Sequence, residues 1–94
     1  MSLRLSHPGN DLIATGLADL AARRHSVEAL LVARAEARLR DCGTAVPEHA
    51  VADPDKQLFA CLAARDPDGA HSAYNALTRR VISYCRSVEH TGRR

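Results

Sequence analysis

Apolar side chains recur along this chain at helical spacing rather than in strand-like alternation. Leu12, Ile13, Leu17, Leu20 and Ala21 fall on one helical face, and no proline or glycine interrupts the stretch between Leu20 and Leu39. Gly16 is the only weak point, costing about 1 kcal/mol relative to alanine. The pattern predicts one long helix, or two nearly collinear ones, over residues 10–42 after a lead-in of residues 1–9. Asn10 is the expected N-cap, with Asp11 complementing the helix dipole. Ser26, with Glu28 behind it, reads either as the cap of a fresh helix or as a surface residue. In the second half Val27, Leu30, Leu31, Ala35 and Leu39 point inward, Glu36 and Arg40 make a favourable i,i+4 pair, and Gly43 closes the helix at C′.

A loop over residues 43–52, carrying Pro47, separates this front half from the rest. Asp53-Pro54-Asp55 combines an N-cap, a proline at N1 and an acid in the first turn, and predicts a helix over 53–65 with Leu58, Cys61 and Leu62 as its buried stripe. Asp66-Pro67-Asp68 repeats that start signal and predicts a helix over 66–90, followed by a tail of residues 91–94. Ala70, Tyr74, Leu77, Val81, Tyr84 and Val88 follow one another at spacings of four and three. Such a stripe is either the core face of a bundle helix or a seam for self-association. The fold expected is a single all-α domain, an antiparallel bundle of three to four helices with one long first helix.

Composition supports the helical reading. Only 3% of the 94 residues are aromatic, whereas alanine and leucine dominate, which disfavours a sandwich or barrel. The formal net charge is +2, and twelve of the thirteen basic residues are arginines interleaved with acids. The doublets Arg23-Arg24, Arg79-Arg80 and Arg93-Arg94 build no clustered basic face, so direct nucleic-acid contact is not expected. The longest apolar run, Leu58 to Ala64, is far short of the roughly 20 residues of a membrane span. Cys42, Cys61 and Cys85 are widely spaced, odd in number and not preceded by a signal-peptide pattern, which suits a cytoplasmic protein with reduced thiols.

Most enzyme chemistries lack their parts here. The five histidines show neither HExxH nor paired CxxC spacing, and no glycine-rich turn offers an oxyanion hole or a phosphate cradle. One spacing invites comparison: Arg65 and His71, with five residues between them, resemble the Arg-x(4–6)-His motif of higher-eukaryote and prokaryote nucleotide-binding (HEPN) ribonucleases. In that reading His71 is the acid/base and Arg65 holds the scissile phosphate. With this many arginines and histidines, about two such spacings arise by chance.

A more extended resemblance covers about half of the chain. His7-Pro8-Gly9-Asn10-Asp11-Leu12-Ile13 followed by Leu17-Ala18-Asp19-Leu20, and later Leu58 to Ala70 with the helix after it, resemble in order two segments of the FCD domain. FCD domains are the helical effector-binding domains of GntR-family bacterial transcription regulators. The resemblance is to the C-terminal part, without the winged-helix DNA-binding domain and without the first half of the bundle. It implies a non-catalytic module for oligomerisation and effector binding that completes its core as a homodimer or higher homo-oligomer. Asp55, His71 and Tyr74 are the expected ligand-lining residues, with a small organic acid as ligand. Two of the family's metal-binding histidines align with Asp55 and Leu77, so Asp55 at most can ligate a divalent metal and no cofactor is expected. The alternatives are the ribonuclease built on Arg65 and His71, and a plain protein-interaction module.

Overall fold

Between Glu28 and Arg34 every residue is apolar, and a helix that is apolar all round has no face to give to water. In the computed structural model, which describes residues 9–92, this segment is the central helix of five. In chain order they are α1 (Asn10–Ala21), α2 (Val27–Arg34), α3 (Glu36–Asp41), α4 (Pro54–Arg65) and α5 (Ala70–Gly92). No strand occurs among the described residues, so the all-α class holds. α2 packs extensively against α1 on one side and α4 on the other, and α5 completes the structure by packing on α4. Ala29, Leu30, Leu31 and Val32 are at most 1% exposed, which makes α2 the centre of the core.

The long first helix does not form. Residues 22–26 break it, and α2 folds back on α1 as a hairpin. The stop carries no glycine, which is why the sequence pattern ran through it. Arg23 occupies the left-handed position (φ 63°) that glycine usually takes at C′. Its amide donates to the Leu20 carbonyl and the Arg24 amide to the Asp19 carbonyl, which together form a Schellman closure. The restart is Ser26, whose hydroxyl accepts the Ala29 amide (3.1 Å) and donates to Asp19 Oδ2 (2.7 Å). Arg24 also pairs with Asp19, so one carboxylate fastens both ends of the corner. The left-handed backbone costs a non-glycine residue about 1–2 kcal/mol, whereas glycine loses about 0.5–1 kcal/mol more entropy on folding. Arg23→Gly is therefore expected to stabilise the protein by a few tenths to about 1 kcal/mol, read as a higher midpoint in urea.

Backbone hydrogen bonds pass through Ala35, which separates α2 from α3: its amide donates to the Leu31 carbonyl and its carbonyl accepts the Leu39 amide. Gly43 (φ 94°) ends α3 as expected, with its own amide on the Arg40 carbonyl and the Thr44 amide on the Leu39 carbonyl. The following loop is tied down rather than loose. Arg40 donates to the Val46 carbonyl (3.0 Å), Thr44 shares a hydrogen bond with Tyr84 (3.0 Å), and the Val46 side chain is buried.

Three boundary expectations need correction. Gly9, not Asn10, is the cap of α1, and it lies against the Arg80 backbone of α5. Asp53 is the N-cap of α4 with Pro54 opening the helix, as expected, but it is left-handed (φ 47°), its side chain makes no cap hydrogen bond, and only its carbonyl accepts, from the Gln57 amide. Asp66-Pro67-Asp68 forms a turn, closed by the Gly69 amide on the Asp66 carbonyl, and α5 begins only at Ala70. Residues 1–8 and 93–94, including most of the lead-in and Arg93-Arg94, lie outside the described residues.

The stripe of α5 faces inward: Ala70, Val81 and Tyr84 are buried, and Tyr74, Leu77 and Val88 pack half-buried on the core. Of the two readings of this stripe, core face or self-association seam, it is the core face that this chain's own packing occupies. Among the described residues only Phe59 and Ile82 are exposed large hydrophobics. No helix is long and apolar enough to cross a membrane.

Candidate functional site

α4 and α5 form a hairpin whose outer crease is a groove of about 620 Å³. Asp55 enters it from the first turn of α4, while His71 and Tyr74 come from the first turn and a half of α5. The three residues expected to line a ligand site from sequence thus share one groove, together with Lys56, Phe59 and Asn75. Phe59 is its aromatic floor. Its ring stands edge-on to His71, with centroids 5.9 Å apart, and tilted towards Tyr74 at 5.8 Å. That offset geometry favours ring–ring attraction and leaves apolar surface facing outward.

Arg34, at the end of α2, lies behind this groove and holds two of its lining residues. Its Nε–H is shared between Asp55 Oδ1 (2.5 Å) and the Tyr74 hydroxyl (2.7 Å), while the Tyr74 hydroxyl itself donates to Asp55 Oδ1. The guanidinium also lies 5.0 Å above the Tyr74 ring, a cation–π contact. Neither element alone could fix Tyr74. Three helices meet at this one polar cluster, and it sets the ring angle that shapes the groove.

The hydrogen bond from Tyr74, followed by that from Arg34, holds the Asp55 carboxyl below its ordinary 3.8. The same hydrogen bond to Asp55, reinforced by burial, pushes the Tyr74 phenol above 10.0. A carboxyl depressed in the folded state adds stability above its unfolded pKa, and that contribution is lost as the pH falls through the folded value. The stability difference between wild type and Asp55→Asn should therefore be flat above about pH 5 and should close as the pH drops below the ordinary carboxylate range. Urea melts across the acid range measure it. The Asp55 side chain is 63% exposed, so solvent screens the pair and the effect is small.

Arg65 and His71 do not line the same groove. Arg65 ends α4, the turn 66–69 intervenes, and Arg65 is not among the residues lining the groove that His71 enters. Nor does Asp55 gather metal-ligating companions: among the described residues no group of three or more His, Cys, Asp and Glu side chains could hold a metal ion. Its Oδ1 is instead held by Arg34 and Tyr74.

A second concave region, of about 650 Å³, lies where the loop after α3 meets the α1–α2 corner. His49 accepts the Val51 amide at Nδ1 (3.2 Å), which leaves Nε2 as the protonated nitrogen donating to Glu36 (2.8 Å). Arg40 grips the other Glu36 oxygen at 2.7 Å. All these groups are spent on holding the loop to α3, so this region reads as architecture. The thiols are similarly quiet. Cys42 and Cys85 donate to neighbouring carbonyls of α3, Leu39 (3.3 Å) and Arg38 (3.8 Å). Burial, then the hydrogen bond with Cys42, pushes the Cys85 thiol up to about 12, far from a reactive thiolate.

Arg34 was not singled out from sequence, and neither were Lys56, Phe59 and Asn75 as groove residues. The signal for Arg34 was present: it is a cation that directly follows the apolar run Ala29 to Ala33, and such a charge needs a partner. The chain matches no family model, no curated protein and no solved structure.

Proposed function

We propose that this chain is a non-catalytic helical binding module whose α4–α5 groove holds a small organic acid with a planar apolar body. The observation that carries this reading is the groove itself: an aromatic floor, Phe59, packed against a Tyr74 ring that a three-helix polar cluster fixes, with mixed polar tips at the rim. Charge decides the sign of the ligand. Asp55 is neutralised by Arg34, whereas Lys56 has no ion pair among the described residues, so the uncompensated charge at the rim is positive. His71 and Asn75 add hydrogen-bonding capacity beside it. The resemblance to the effector-binding part of GntR-type regulators supports the same class of function. The ribonuclease reading is the weaker of the two because Arg65 and His71 do not share the groove.

Thermal shift with benzoate as probe tests the proposal. A ligand at a hundredfold excess over its Kd stabilises by about 2.7 kcal/mol. A saturable upward shift that Phe59→Ala and Lys56→Ala both reduce is the expected result. Absence of any saturable shift, or cleavage of labelled RNA that His71→Ala abolishes, overturns it. The homo-oligomer expected from sequence now rests on Phe59 and Ile82, the exposed apolar side chains. Light scattering of wild type and of the Phe59→Ser, Ile82→Ser double variant settles it: a mass of 10.2 kDa for the wild type removes the oligomer from the proposal.

A further inference from the structure

The polar cluster is also a partition. Asp55 lines the α4–α5 groove on one side and, on the other, a separate groove of about 410 Å³ between α2–α3 and α5. Each side carries one of the two exposed large hydrophobics, Phe59 on the first and Ile82 on the second. The second groove has Ala35, Ala37, Val81 and Ile82 as apolar wall, and Arg34, Arg38, Asp55 and Thr78 as its polar lining, with the Asp55 carboxylate paired to Arg34 Nε.

Arg34 spends only Nε on Asp55 and Tyr74, and among the described residues its two terminal amino groups donate to nothing. A guanidinium anchored at Nε and stacked on a ring presents its terminal edge in a fixed plane, the arrangement that suits a carboxylate. Arg38, one turn on, is different: both its terminal nitrogens are clamped by Glu89, at 2.6 and 3.2 Å. The groove therefore has one available cationic edge. Thr78, one turn after Tyr74 on α5, contributes the second observation. Its Oγ1 is buried without a hydrogen-bond partner, the kind of group that native structures rarely leave unmade.

We propose that this second groove binds a small aliphatic carboxylate. The anionic head sits on the terminal edge of Arg34, the Thr78 hydroxyl turns about χ1 to donate to it, and the chain lies against Val81 and Ile82. Phosphate fits less well because the groove has one cationic edge and an apolar wall. The site is distinct from the α4–α5 groove and does not depend on that groove's being occupied.

Amide and Arg Nε–H shifts in 15N correlation spectra of the full chain, titrated with hexanoate, test the proposal. Saturable shifts at Arg34, Ala37, Thr78 and Ile82 are expected, with none of comparable size at Phe59 or Asn75. Thr78→Val keeps the side-chain shape and removes the unpartnered hydroxyl, so the fold is retained while hexanoate binding weakens about tenfold. His71→Ala leaves hexanoate binding unchanged, which separates this site from the benzoate groove. Shifts still linear at roughly 20 mM, equal shifts with hexylamine, or wild-type affinity in Thr78→Val would each overturn the assignment.

Discussion

Leu31→Ala is expected to lower stability by about 2–5 kcal/mol, one of the largest effects of any single truncation among the described residues. Leu31 sits at the middle of α2 and is fully buried, with α1 on one flank and α4 on the other. Removing its branched end leaves a cavity that two packed neighbours would have to collapse into at once, so relaxation recovers little. A domain of this size holds only about 5–15 kcal/mol in total, and each kcal/mol lowers Tm by roughly 4–8 °C. A fall of at least about 8 °C in thermal melts follows. Phe59→Ala removes a larger side chain yet should cost far less, because 36% of Phe59 already faces water. Comparable losses for the two variants would place the centre of the core elsewhere.

The second large effect has the opposite sign to that expected from helix propensity. Alanine in place of Gly16 would gain about 1 kcal/mol in an exposed helix interior. Here a Cβ at residue 16 would stand 2.4 Å from Val32 Cγ2 and 2.5 Å from the Glu28 carbonyl oxygen. Neither neighbour can swing away: one is backbone, and the other belongs to a β-branched side chain with no exposure. The helices must part, and overpacking of this kind costs about 1–3 kcal/mol, enough to outweigh the gain. Gly16→Ala should therefore destabilise in urea melts, and Gly16→Val considerably more so. A stabilised Gly16→Ala would show that α1 and α2 do not touch at that point. Gly16→Ala combined with Val32→Ala removes one of the two clashing atoms and should cost less than the sum of its parts.

Gly16 also shows where sequence reading stops. From the chain alone it is a weak point within a helix; its role becomes visible only once Glu28 and Val32 lie opposite, after the chain has reversed. That reversal was itself hidden, because Arg23 fills a position at which glycine would have announced the stop. Ser26 did signal a restart, but a serine in a helical run is compatible with a surface position until the Ala29 amide is seen on its hydroxyl. The α4–α5 hairpin was far more legible. The Asp-Pro pairs mark the start of α4 and the turn before α5, and Asp55, His71 and Tyr74 were singled out through the family resemblance rather than through helix spacing, which cannot bring residues of two helices together. Arg34 escaped because its partners stand 21 and 40 residues away, and local periodicity carries no information at that range.

The burial of α2 on every side has a dynamic consequence. Amides of Leu30, Leu31 and Val32 can exchange with deuterium only when the whole structure opens, so they should report the global unfolding free energy. Both grooves border α5, whose outer face is bathed by solvent for most of its 23 residues. Amides of that face should therefore exchange through small sub-global excursions while the slowest-exchanging centre stays shut.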